Sequence, residues 1–69
     1  MRWLIKRYLA DNHIDSISQL SKMTGINLRT LMRRLDNPET LLMYEFRSLD
    51  EVLHFTEEDK LKIISGDIS

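Results

Sequence analysis

Sixty-nine residues without a cysteine make one small domain, with neither disulfides nor thiolate metal sites to brace it. A domain of this length buries only about 60% of its unfolded surface, so pairing with a second copy is a common supplement to its stability. The net charge of −1 argues at first against a polyanionic partner, and no apolar run approaches the roughly 18 residues that span a bilayer.

The charge is distributed unevenly. Residues 1–35 carry seven Lys or Arg against two acidic residues, and residues 36–69 carry three against nine. Such asymmetry suggests one face for a polyanion and another turned away from it. Acidic residues in helix first turns, where the macrodipole favours them, account for Glu39 and for Glu57 to Asp59 but not for the basic half. The opening MRWLIKRYLADN is too mixed in charge for a signal peptide, so a cytoplasmic protein is expected.

The first predicted helix runs from about Arg2 to Asn12, with Leu4, Ile5, Tyr8 and Leu9 on its apolar face and Lys6 and Arg7 pointing elsewhere. Trp3 is expected at the core edge or as a lid, because no second aromatic stands at a spacing suited to base stacking. Asn12 to Asp15 form a connection in which Ile14 turns inward and His13 is solvated. Ser16 then reads as an N-cap, and Gln19, three residues on, completes a capping box. Ile17, Leu20, Ser21 and Thr24 share one face of the second helix, which Gly25 stops by taking a positive φ. Asn27 caps a third helix beginning at Leu28. Its apolar stripe is Leu28, Leu31, Met32 and Leu35; Arg29, Thr30, Arg33 and Arg34 stand on the other side.

Asp36-Asn37-Pro38-Glu39 is the clearest break. Pro38 suits a first helical turn, and a fourth helix is expected from Pro38 to about Leu53, with Leu42, Phe46, Leu49 and Leu53 in phase and Leu41 and Val52 widening the stripe. Ser48-Leu49-Asp50-Glu51 is also a capping box, but the unbroken stripe favours one helix. After His54-Phe55, Thr56 caps a last helix with Asp59 at its third position. Leu61, Ile63 and Ile64 are apolar there, Gly66 ends it, and residues 67–69 are expected to fray.

Two short helices about a glycine turn, the second basic on its outside, have the layout of a helix-turn-helix. The segment QLSKMTGINLRTLMRRL (19–35) resembles the motif of the phage repressor/Cro-type (XRE-like) regulators in Leu20, the small residue Ser21, Gly25, Ile26 and Leu31. The resemblance implies an all-α, lambda-repressor-like domain of about five helices that places its third helix in the major groove of double-stranded DNA. Two positions depart from the pattern. Ser21 stands where the family has alanine, and Arg34 where it has an apolar residue, with Leu35 following one place later. Leu28 and Met32 accordingly face either the core or DNA.

On this reading Asn27, Arg29, Thr30 and Arg33 contact base edges, since arginine's planar fork pairs with guanine O6 and N7. Ser18, Gln19, Lys22 and Arg34 are phosphate candidates, although Gln19 also serves the capping box. Arg2, Lys6 and Arg7 either extend that track or keep the surface solvated. Phe55, Leu61, Ile64 and Ile68 are candidates for a homodimer contact, formed in solution or on DNA. No catalytic motif occurs: there is no HExxH, GxSxG or phosphate-binding glycine loop, and the carboxylates of Glu57, Glu58 and Asp59 diverge around a helix. The expected function is that of a transcriptional regulator, with no metal, cofactor or small-molecule ligand. The alternative is a protein-interaction module of the same fold whose acidic second half meets a protein partner.

Overall fold

A computed structural model describes residues 1–66, and among these the chain is all-helical. Helix α1 spans Arg2–Asp11, α2 Ile17–Thr24, α3 Leu28–Asp36, α4 Met43–Leu53 and α5 Glu57–Ser65, with a single 3₁₀ turn at Pro38–Thr40. No helix among the described residues is long and apolar enough to cross a membrane. Ile68 and the expected fraying at 67–69 lie outside the described residues.

One core takes side chains from every helix. Leu4, Ile5, Tyr8 and Leu9 of α1 meet Leu20 of α2, Leu31 and Leu35 of α3, Leu49 and Leu53 of α4 and Ile63 of α5. Ile14 and Ile26, from the two connections before α2 and α3, close the layer between them. Phe55 joins α5 to the rest: its ring meets Tyr8 edge-on at 5.0 Å and stacks near Phe46 at 5.9 Å. Aromatic pairs in these geometries add about 0.5–1.5 kcal/mol each beyond area burial.

Three expectations need correction. Trp3 is 57% exposed and lids nothing. The fourth helix does not begin at Pro38: a 3₁₀ turn closes there, Leu41 and Leu42 are extended, and α4 starts at Met43. The cause is Glu45, whose Oε1 accepts the Leu42 N–H at 2.9 Å and satisfies a helix-end donor that no Ser or Thr is placed to cap. The capping box at Ser16 is likewise only half formed. Ser16 Oγ accepts from the Gln19 N–H, but the Gln19 amide oxygen reaches one residue further back, to the Asp15 N–H.

Candidate nucleic-acid interface

The turn between α2 and α3 is locked from inside. Gly25 takes φ 77°, and its N–H donates to the Ser21 carbonyl. Ser21 is buried and its hydroxyl donates to the Ile26 carbonyl, while Thr24 Oγ1 accepts from the Ile26 N–H. A hydroxyl at position 21 therefore has a local use, binding the far side of the turn, that an alanine could not serve. Asn27 Oδ1 then caps α3 by accepting from the N–H groups of Arg29 and Thr30. With that oxygen engaged, the amide NH₂ of Asn27 is the group it can offer outward.

Leu31 and Leu35 are fully buried, and this sets the rotation of α3. Arg29 and Arg33, one turn apart, are exposed on the side opposite them. Thr30 is half-buried at the mouth of a cleft that runs from Gly25 and Asn27 to Tyr44 and Ser48 of α4. Met32 is half-buried on one flank of α3, and Leu28 is exposed at its first turn. Arg34 occupies the other flank, where its Nε donates to Glu45 Oε1 at 2.9 Å. Glu45 is 2% exposed, so the charge of Arg34 on α3 is matched by a buried carboxylate on α4.

The cations fall into two groups. Arg2 forms a two-point pair with Asp36, Arg7 meets Asp59, Arg34 meets Glu45, Lys60 meets Asp50 and Glu57, and Lys62 meets Glu58. Among the described residues Lys6, Lys22, Arg29, Arg33 and Arg47 form no ion pair. Three of the pairs join a base from residues 1–35 to an acid from residues 36–69. The two charge blocks of the sequence are thus not two faces of the molecule, because part of each neutralises the other. What stays unpaired on α2 and α3 is Lys22, Arg29 and Arg33, with Ser18 and Gln19 exposed nearby on α2.

Between α1 and α5, Asp59 is buried rather than splayed to solvent with its neighbours. It accepts from the Tyr8 hydroxyl at 2.5 Å and its backbone N–H donates to Thr56 Oγ1. The Tyr8 hydroxyl holds the Asp59 carboxyl below its ordinary pKa; burial opposes this, and Thr56, Arg7 and Lys62 add to the lowering. Of the dimer candidates, Leu61 and Ile64 are 67% and 64% exposed, whereas Phe55 is 5% exposed and committed to the core. Ile64 also edges an apolar cleft whose other walls are Leu41, Leu42, Met43, Phe46 and Ile63.

Sequence reasoning missed Tyr44, 65% exposed beside Asn27 and Thr30 in the α3–α4 cleft, and the burial of Glu45. Both were hidden by the expectation of a continuous fourth helix. The available signal was Glu45 standing three residues after Leu42, the acidic half of a capping box whose first half is apolar. Comparison with family models, with curated proteins and with solved structures returned no match for this chain.

Proposed function

We propose that this domain binds double-stranded DNA in a sequence-dependent way, as a small transcriptional regulator of the phage repressor/Cro type acting in the cytoplasm. Helices α2 and α3 serve as a helix-turn-helix, with α3 in the major groove. Arg29 and Arg33 reach base edges, aided by the Asn27 amide and the Thr30 hydroxyl. Lys22, Ser18 and Gln19 lie along the phosphate backbone. The observation that supports this reading is the pattern of pairing: Arg34 is held by the buried Glu45, and Arg2 and Arg7 pair with Asp36 and Asp59, while the two arginines on the outward side of α3 have no acidic partner. A single α-helix makes few base contacts, so a second copy is expected on a two-fold related half-site, joined through Leu61 and Ile64.

The test is selection of bound duplexes from random DNA, followed by titration of the selected site. A recurrent motif bound far more tightly than mixed-sequence duplex supports the reading. Equal affinity for all duplexes, or none, sinks it. An apolar cleft bordered by exposed Leu42, Met43 and Ile64 favours a second reading, in which the same fold grips a protein partner there. In that case Leu42→Lys would abolish function and Arg33→Ala would not.

A further inference from the structure

We propose that Glu45 is a positioning residue for α3: it holds the Arg34 guanidinium in the seam between α3 and α4, fixes the rotation of α3, and withholds that cation from the phosphate backbone. The inference rests on the DNA-binding reading and refines its site. Arg34 and Arg33 are adjacent arginines on one helix, yet Arg33 is exposed and Arg34 is half-buried with its Nε–H on Glu45. The same carboxylate oxygen accepts the Leu42 N–H that starts α4. One buried atom therefore ties the flank of α3 to the first turn of α4. Rotating α3 to bring Arg34 to a phosphate would strand a carboxylate that is 2% exposed. Leu31 and Leu35 set the rotation of α3 through packing, and the charge-assisted Arg34–Glu45 bond adds a directional restraint on its flank.

The experiment uses the full chain and a mixed-sequence duplex of about 20 base pairs, titrated across salt. Glu45→Gln keeps an acceptor for the Leu42 N–H while removing the charge. It should release Arg34 and steepen the salt dependence by about one phosphate contact, which is roughly 3- to 4-fold more affinity lost over a fourfold rise in salt. Arg34→Met combined with Glu45→Gln removes both charges. It should keep the parent salt dependence while lowering the ratio of selected-site to mixed-duplex affinity, because α3 loses its fixed rotation. Without DNA, the Arg34 Nε–H of the parent should exchange with water more slowly than those of Arg29 and Arg33 in NMR spectra. The inference is overturned if that exchange is equally fast, if Glu45→Gln leaves the salt dependence unchanged, or if the double variant loses one phosphate contact. A parent chain that binds no duplex overturns the DNA reading itself, a result separable from all three.

Discussion

Gly25 and His54 occupy the same backbone region for opposite reasons. At Gly25 the φ is 77° and an added Cβ would meet no atom within 4 Å, so the whole effect of a side chain there is conformational. Gly25→Ala should destabilise by about 1 kcal/mol, and the β-branched Gly25→Val by more. His54 ends α4 at φ 56° with a side chain that does not need to be there. His54→Gly should raise stability by up to about 1 kcal/mol. Urea denaturation of the three variants measures both signs. A Gly25→Val domain as stable as the parent would mean that the turn lies elsewhere. Asp59 adds a pH dependence. Its carboxyl is lowered in the folded state, so its contribution is present above the unfolded aspartate pKa of about 3.9 and is lost as pH falls through the folded value. Melting temperature should therefore drop below about pH 4, and Tyr8→Phe should be less stable at neutral pH with a shallower acid limb. An unchanged acid limb in Tyr8→Phe would remove the hydroxyl as the principal cause.

At the scale of the element, the three helices whose caps carry a hydroxyl or amide were legible at their starts, as was α1 at Arg2, and α4, preceded by Leu42, was not. Ser16, Asn27 and Thr56 each cap the helix that the sequence assigns to them. Gly25 and Gly66 end theirs in the left-handed region. The start of α4 was misplaced because hydrophobic phase cannot distinguish a helix from a 3₁₀ turn followed by two extended residues when Leu41 and Leu42 stay near the core. The candidate site was half legible. Periodicity gave the exposed side of α3, but the fate of Arg34 and Asp59 depended on partners 11 and 51 residues away, Glu45 and Tyr8, which no local pattern marks. Asn27→Ala removes an acceptor shared by two N–H groups and should cost about 0.5–2 kcal/mol of stability. Because that change also frays the first turn of α3, its effect on DNA affinity should exceed that of Ser18→Ala, as fluorescence anisotropy with a selected duplex would report.

Across the whole molecule, ion pairing decides which cations are left without an acidic partner. The chain is almost neutral, yet Lys22, Arg29 and Arg33 on α2 and α3, with Lys6 and Arg47 elsewhere, are left without partners, while Asp36, Glu45 and Asp59 each hold an arginine. The exposed pair Leu61 and Ile64 gives α5 an apolar edge, so on the proposed DNA-binding reading Ile64→Glu should abolish cooperative binding to a two-fold site while leaving a single half-site bound one-to-one. Sedimentation of the protein–duplex complex distinguishes the two.

The most direct test of the account compares selected-site and mixed-sequence affinity for three variants whose folding is matched by circular dichroism. Loss of one bidentate guanine contact costs about 1–3 kcal/mol, whereas loss of a phosphate contact weakens all sequences alike. Arg29→Ala and Arg33→Ala should each collapse the ratio of the two affinities, and Lys22→Ala should lower both affinities and preserve the ratio. If neither arginine variant changes the ratio, α3 does not read bases through this face.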